Sequence, residues 1–319
     1  MKNNVLVVGS INVDYVIHTE RLPKLGETIV GDSFSMNFGG KGANQAIAIA
    51  KSGCNVKMLG AVGNDQAGGM AIQNLEQFGV DTSSVLRVDA PTGAAVITVC
   101  GGDNHIILDI GANGFVTPKV IEDNKDLFDW ADILVMQYEI PVESVITSAK
   151  IAKKKGKAVI LNPAPVKDVN ASLYGYVDWI VPNEFEAELI TKIKQETDED
   201  AKSAMAKLRE MGCKNAIVTL GKRGCAYHCG DDVKYAGVFD VKRVDTTSAG
   251  DSFIGGFCAS LCDGKTIDDA VYYASAVSSI TIGRAGASIS IPTADEVVHF
   301  IKENNMLNSV NDELYNQHQ

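Results

Sequence analysis

Short apolar segments alternate with longer amphipathic segments along most of this chain. The apolar segments have the length and composition of buried strands, and they are Val5–Val8, Val56–Val62, Ile133–Met136, Ala158–Leu161, Trp179–Val181 and Ala216–Leu220. The amphipathic segments between them have helical spacing, and they are Ala43–Lys51, Gly69–Gln77, Val142–Lys155 and Asp198–Met211. Strands that alternate with helices build βαβ units. The pattern therefore predicts an α/β fold with a doubly wound, mostly parallel sheet and helices on both faces.

Two segments, Val13–Met36 and Thr92–Ile110, interrupt this alternation with strand-like patterns and turn residues but no helix. Such a pattern is typical of antiparallel strands with one solvated face. We expect a small antiparallel sheet, standing off the main body as a lid, from residues 12–37 and 92–110. The main domain would comprise 1–11, 38–91 and 111–319. Cys225–Val238 is predicted to form a hairpin, and the polar tail after Asn304 is expected to fray.

Composition narrows the class of protein. The 319 residues are 45% hydrophobic and 22% charged, which is ordinary for a globular enzyme. A formal net charge of −11 disfavours nucleic acid or an anionic membrane as the main partner. No apolar run approaches the ~20 residues of a membrane span, and the first residues lack a signal-peptide pattern. We expect a cytoplasmic protein.

Cysteine usage agrees with that compartment. Seven cysteines, an odd number, are scattered through apolar segments, as reduced thiols of the cytosol often are. Cys225/Cys229 and Cys258/Cys262 have three residues between their members, whereas zinc sites usually show turn-forming pairs with two. The second pair also falls inside a predicted helix, so a zinc site is disfavoured.

The most informative segment is Asp245–Phe253, with the sequence DTTSAGDSF. Small residues leave backbone N–H groups free at the start of the apolar helix Ile254–Leu261, and such groups bind anions. Asp251 in the same turn has two interpretations. It is either a helix-capping acid, or a base that takes a proton from a hydroxyl attacking a phosphate.

A glycine-rich segment, Phe38–Ala46, is the second unusual feature, because three glycines in four positions let a ligand approach the main chain. It departs from a dinucleotide fingerprint by ending in Gln45, and it does not directly follow the first strand. The segment Ala259–Thr266 resembles a Walker A loop but lacks its opening glycine. Neither standard nucleotide-binding loop is present.

Together these two segments resemble the two signatures of the ribokinase-type carbohydrate kinases, the PfkB family, and the resemblance runs from Val5 to about Pro292. Within the family the match is closest to members that phosphorylate ribose, through four further motifs: Gly9–Asp14, Gln137–Glu139, Asn162–Pro165 and Pro182–Glu186. The resemblance implies a ribokinase-like fold whose small sheet closes over a sugar. It also implies ATP-dependent phosphorylation of D-ribose at its primary 5-hydroxyl, giving ribose 5-phosphate.

The resemblance also implies the sugar site and the catalytic site. The sugar would be bound by polar residues that satisfy its hydroxyls, and these are Asn12, Asp14, Gly40, Lys41, Asn44, Glu139 and Asp251. Asp251 would be the general base. Backbone N–H groups of Ser248, Ala249, Gly250 and Asp251 would form an anion hole for the transferred phosphoryl group. Ser248 stands where the family usually has Ala or Gly.

The resemblance implies nucleotide and metal sites as well. ATP would contact Asn183, Thr219, Gly221, Lys222, Gly224, Gly250 and Ser275. Glu186 would orient the hydrated Mg²⁺ that accompanies ATP. A monovalent cation, K⁺, would activate the enzyme from a site at Asp245, Thr247, Thr281, Arg284, Gly286 and Ser290, bound mostly through carbonyl oxygens.

Several alternatives stay open. The substrate could be deoxyribose, fructose or a nucleoside such as adenosine or pseudouridine, or the chain could be a catalytically silent sugar-binding member of the fold. A dehydrogenase is disfavoured by the missing fingerprint. Alternating apolar residues of the small sheet also predict a lid-to-lid homodimer, and these are Val16, Ile29, Phe34, Val96 and Ile107.

Overall fold

A computed structural model of the chain describes residues 4–101 and 103–304. The predicted frayed tail after Asn304 lies outside the described residues. A nine-stranded sheet forms the centre, and its strands in chain order are β1 Asn4–Val8, β4 Asn55–Leu59, β6 Val80–Asp81, β10 Ile133–Met136, β11 Ala158–Leu161, β12 Trp179–Ile180, β13 Asn215–Thr219, β14 Cys225–Cys229 and β15 Asp232–Ala236. Their spatial order is β15-β14-β13-β12-β11-β10-β1-β4-β6. All neighbours pair in parallel except β13–β14 and β14–β15, and the second of these pairs is the predicted hairpin.

Helices cover both faces of this sheet. They are α1 Lys41–Lys51, α2 Gln66–Gln77, α3 Pro118–Asp123, α4 Leu127–Trp130, α5 Val142–Lys154, α6 Glu184–Thr191, α7 Asp198–Glu210, α8 Ala249–Cys262 and α9 Ile267–Ile282. Residues 294–304 are also helical. Strand β1 shows the double coverage, because Leu6 and Val8 enter one apolar cluster with α5 and α7 whereas Val5 and Val7 enter another with α1 and α8. The predicted doubly wound α/β fold is confirmed.

The small sheet consists of β2 Asn12–Thr19, β3 Ser33–Gly39, β8 Gly93–Cys100 and β9 Asp103–Asp109, in the order β3-β2-β8-β9. It was predicted to be antiparallel, but its central pair, β2 and β8, is parallel. The reason is connectivity. Each half is an antiparallel hairpin, and the first strand of each leaves the main body in the same direction.

One predicted strand, Val56–Val62, is divided in the structure. It ends as β4 at Leu59, and Ala61–Gly63 forms a separate strand, β5, that pairs with β7, Leu86–Val88. Gly60 lies at the break, where an added Cβ would come within 3.0 Å of the carbonyl oxygen of Gly9. The chain therefore leaves the main sheet beside β1, next to the glycine-rich start of α1.

Candidate active site

A cavity of about 180 Å³ lies at the carboxyl edge of the main sheet. Ligands bind at this edge in doubly wound folds. The lining residues come from the ends of β11, β12 and β13, from the starts of α1, α6 and α8 and from the loop before α8, and they are Lys41, Asn162, Val181, Asn183, Glu186, Thr219, Thr246, Ser248, Ala249, Gly250, Asp251 and Ile254. The cavity therefore brings together the predicted anion hole, the predicted base, Asn183, Glu186, Thr219 and Lys41.

Asp251 lies in the first turn of α8 but does not cap it. The cap residue is Ser248, which has a left-handed backbone (φ 60°) and makes no side-chain capping bond. The Asp251 carboxylate instead accepts hydrogen bonds from α1: Asn44 Nδ2 lies 3.2 Å from Oδ2, and Gln45 Nε2 lies 2.9 Å from Oδ1. The capping interpretation of Asp251 is thus wrong, and the carboxylate is aimed between two helix N-termini.

The predicted sugar residues converge beside this carboxylate. Asn12, Asp14, Asn44 and Glu139 are all buried. Oε2 of Glu139 accepts from Ser10 Oγ at 2.5 Å, from the backbone N–H of Lys41 at 3.0 Å and from Asn12 Nδ2 at 3.5 Å. Oε1 of Glu139 accepts no hydrogen bond from the described residues. One oxygen of Glu139 therefore holds the loop together, and the other is left for a ligand.

Gly40, the predicted backbone contact, explains why this loop contains glycine. Its φ is +92°, and an added Cβ would lie 2.8 Å from the backbone nitrogen of Asn12. No other residue type is compatible with both conditions. As a result, α1 begins directly against the end of β1, and its first N–H groups face the site.

Charge in the site is concentrated on buried carboxylates. Burial, with the neighbouring Glu139 and Asp251 carboxylates, raises the pKa of Asp14 to about 7. Burial by itself would lower the pKa of the Lys41 amine, but Asp251, Glu139 and Glu186 outweigh it, and the pKa of Lys41 is raised. Lys41 therefore stays charged in the cavity, where its ammonium group can bind a phosphate.

Asn183 and Glu186 form a reciprocal capping box at the start of α6. The backbone N–H of Glu186 donates to Asn183 Oδ1 at 2.8 Å, and that of Asn183 donates to Glu186 Oε2 at 2.9 Å. Burial raises the pKa of Glu186 against the opposing effect of this hydrogen bond. The N-x-x-E motif therefore has a structural role in addition to its place in the cavity wall.

Four predicted nucleotide contacts do not line the cavity. Gly221, Lys222 and Gly224 belong to the turn after β13, and Lys222 is exposed. Gly224 has a packing explanation, because an added Cβ would lie 1.9 Å from the carbonyl oxygen of Ala236. Ser275 is buried in α9. Gly221, Lys222 and Gly224 follow Thr219 in the chain, and all four positions stay predictions.

The predicted cation residues lie on the loop before α8 and at or after the end of α9, and Asp245 joins these two segments. Its Oδ1 accepts from the backbone N–H and hydroxyl of Thr247 at 2.9 and 2.7 Å, and its Oδ2 accepts from the backbone N–H of Gly286 at 3.2 Å. The remaining members are Thr281, Arg284 and Ser290. The hydroxyls of Thr281 and Ser290 are buried and bonded to main-chain carbonyls, and the Arg284 side chain bonds Glu296.

Comparison with known proteins identifies the family. A model described as "pfkB family carbohydrate kinase" matches residues 2–294. The chain belongs to the pfkB family of carbohydrate kinases. It is 36% identical over 304 residues to a ribokinase of Haemophilus influenzae, covering 95% of this chain and 99% of that one. It is 33% identical to a deoxyribokinase of Salmonella typhimurium, covering 94% and 99%.

A solved structure shows the same architecture. Arabidopsis thaliana ribokinase, complexed with ribose and ATP, superposes with a TM-score of 0.90 at 34% identity, covering 95% of this chain and 99% of that one. None of the described helices of this pfkB kinase is long and apolar enough to cross a membrane.

Sequence reasoning missed several residues of this carbohydrate kinase site. Gln45 and Asn162 were visible in the motifs but had no role until the structure placed them beside Asp251. Asn113 was absent from the prediction: it accepts from the backbone N–H of Ile11 at 2.9 Å and donates to Asn12 Oδ1 at 2.7 Å. Gly39 was also missed, and an added Cβ there would lie 2.1 Å from Oδ2 of Asp14.

Proposed function

We propose that this chain transfers the γ-phosphoryl group of ATP to the 5-hydroxyl of D-ribose, giving ribose 5-phosphate and ADP. The observation that carries the proposal is the 3.2 Å hydrogen bond between Asn44 and Asp251. This bond links the buried polar residues suited to a sugar with the Asp251 carboxylate, which lines the cavity that would hold the phosphates. Family membership and the ribokinase relatives support the choice of ribose.

In the proposed reaction, Asp251 accepts the proton of the 5-hydroxyl as that oxygen bonds to the γ-phosphorus. The bond from this phosphorus to the β–γ bridging oxygen breaks, and ADP leaves. Backbone N–H groups of residues 248–251 stabilise the charge that develops on the phosphoryl oxygens. Lys41, which is charged and lines the cavity, neutralises phosphate charge from the opposite helix.

ATP is used by such kinases as its magnesium complex, and the metal supplies charge neutralisation at the β- and γ-phosphates. The residues present fit this role. Because Glu186 Oε2 is occupied by the capping box, the other carboxylate oxygen is left to hold a metal-bound water, and Asn183 stays beside it. A nearby cation would also favour the ionised form of this buried carboxylate.

We further propose that K⁺ activates the enzyme through the Asp245 loop. One carboxylate with hydroxyl and carbonyl oxygens suits a monovalent cation, and Asp245 lies six residues before Asp251 on a turn tied to the 281–290 loop. Bound K⁺ would stiffen this turn and orient the anion hole. Equal turnover in K⁺ and in Na⁺ or choline would contradict this.

Deoxyribose is the second candidate substrate, favoured by the deoxyribokinase relative. The two sugars differ at the 2-hydroxyl, and a site whose carboxylates pair with a vicinal diol disfavours the analogue that lacks it. Asp14 and the free oxygen of Glu139 are such acceptors, which favours ribose. Fructose and nucleosides rank below deoxyribose as candidate substrates, and a catalytically silent sugar-binding protein ranks below these.

The test is ADP release from Mg-ATP with ribose, deoxyribose, fructose, adenosine and pseudouridine, each in K⁺ and in Na⁺. We expect turnover to be fastest with ribose and to rise with K⁺. Turnover on another substrate alone would overturn the assignment of the sugar site. Turnover on none of them would favour the silent binding protein.

We propose that the small sheet closes over the sugar as a lid and pairs with a second copy in a cytoplasmic homodimer. Strand register places Phe34, Val96 and Ile107 on one face, and all three are exposed. Val16 lies on the opposite face, which also carries Asp14, so it does not belong to this surface. A monomer in light scattering at micromolar concentration would contradict the dimer, and Phe34→Glu should weaken it.

A further inference from the structure

A row of buried side-chain amides leads from the end of β10 to Asp251. Gln137 Nε2 donates to Gln45 Oε1 at 2.6 Å, and Gln45 Nε2 donates to Asp251 Oδ1 at 2.9 Å. The same Nε2 lies 3.2 Å from Asn162 Oδ1. Both glutamines have 0% exposed surface. The row is therefore shielded from water along its whole length.

Main-chain groups fix which way each amide of the row points. Asn162 Nδ2 donates to the carbonyl oxygen of Val181 at 3.0 Å, and a carbonyl can only accept. Asn162 therefore directs Oδ1 toward Gln45, and Gln45 must donate to it from Nε2. This leaves Gln45 Oε1 to accept from Gln137. Because the polarity is determined at every link, only N–H groups face the Asp251 carboxylate.

The row also carries an energetic cost. Gln137 Oε1 is buried with no hydrogen-bond partner among the described residues, and it occupies the position that a Cβ of Gly9 would fill, 2.1 Å away. A buried acceptor without a partner destabilises the folded protein.

We propose that Gln45 and Gln137 are positioning residues for the phosphoryl-transfer step. Gln45 anchors Oδ1 of Asp251, and Gln137 acts through Gln45 by holding the amide in the productive orientation. Oδ2, on the Asn44 side, is then the oxygen that receives the proton of the sugar hydroxyl. This inference rests on the proposed function, because it assigns the role of base to Asp251.

The first variant is Gln45→Met, which keeps the size of the side chain and removes its hydrogen bonds. Small misplacements of a reacting group lower turnover by up to about 100-fold. We expect kcat with ribose and Mg-ATP to fall by about 10- to 100-fold while KM for both substrates changes little. A fall in kcat without a change in KM distinguishes misplacement of the base from general damage to the fold, which would weaken substrate binding as well.

Gln137→Met and the double variant test the order of the row. We expect a smaller loss in Gln137→Met, and no further loss when this change is added to Gln45→Met, because Gln137 acts only through Gln45. Gln195→Met is the matched control. Gln195 is buried, and among the described residues its Nε2 bonds the carbonyls of Ile193 and Lys194, neither of which lines the cavity, so kcat and KM should not change.

If Gln45→Met fails to fold, Gln45→Glu replaces it, because it retains the size and can still accept from Gln137. It removes the donor to Asp251 Oδ1 and places a second carboxylate there, so kcat should fall as in Gln45→Met. Wild-type turnover with ribose is measured first, and its absence would overturn the proposed function together with this inference. With the wild type active, an unchanged kcat in Gln45→Met, or losses that add in the double variant, would overturn this inference alone.

Discussion

Ribose affinity should depend on pH through Asp14. Its pKa is raised to about 7, first by burial and then by Glu139 and Asp251, so the neutral form dominates below pH 7 in the free enzyme. An ionised carboxylate can accept from both hydroxyls of a diol, whereas a protonated one must use an oxygen as a donor. Binding of ribose should therefore weaken as the pH falls.

The size of the effect follows from the titration. With a pKa of about 7, roughly one tenth of the carboxyl is ionised at pH 6 and roughly nine tenths at pH 8. If only the ionised form binds, Kd for ribose decreases about tenfold between these pH values, which is about 1.4 kcal/mol. Below pH 7, binding should also release a proton.

Calorimetric titration of ribose at pH 6, 7 and 8, in buffers of different ionisation enthalpy, measures both quantities. Asp14→Asn is the control, and we expect weaker affinity that no longer changes with pH, with no proton released. A wild-type Kd that is flat from pH 6 to 8 would refute the reasoning. A slope equally steep in Asp14→Asn would assign the titration to another group.

Three further predictions concern single positions. Glu186→Ala should lower the free energy of unfolding by about 0.5–2 kcal/mol in urea titration, because the capping box is lost, whereas Glu186→Gln should retain it; equal losses in both would contradict the role of the box. Gly39→Ala should weaken ribose binding at least tenfold by calorimetry and leave Mg-ATP binding unchanged, because its Cβ would lie 2.1 Å from Asp14 Oδ2. Ser248→Gly should raise the melting temperature, because it removes a left-handed non-glycine residue and a buried hydroxyl that has no partner among the described residues; a lower melting temperature would contradict this.

Local patterns predicted the parts of this structure that depend on local sequence. The apolar run Val5–Val8 is buried on both faces, and such a run is typical of a central parallel strand. Val56–Val62 was also predicted as one strand, yet it divides at Gly60, where the backbone of Gly9 approaches. The pairing of β2 with β8 was also missed, because the direction of each hairpin depends on how it leaves the main body.

The candidate site likewise contains residues that local sequence predicted and contacts that it did not. Asp251, Lys41 and Glu186 were visible because motif and spacing mark them, and the cavity brings them together. The hydrogen bond between Gln45 and Asp251 joins residues 206 positions apart, and no local pattern reveals such a partner. The capping role of Asn183 and Glu186 could have been predicted, because N-x-x-E before an apolar run is also a capping-box signature.

The central claim is ribose phosphorylation with Asp251 as base, and ³¹P NMR of the reaction with ribose and Mg-ATP tests it most directly. Wild type and Asp251→Asn are compared, with ribose and Mg-ATP binding measured by calorimetry in both. The account predicts that wild type forms ribose 5-phosphate and ADP, and that Asp251→Asn binds both substrates but turns over at least about 100-fold more slowly. Ribose 5-phosphate formed equally fast by Asp251→Asn, or no phosphorylated ribose formed by wild type, would contradict it.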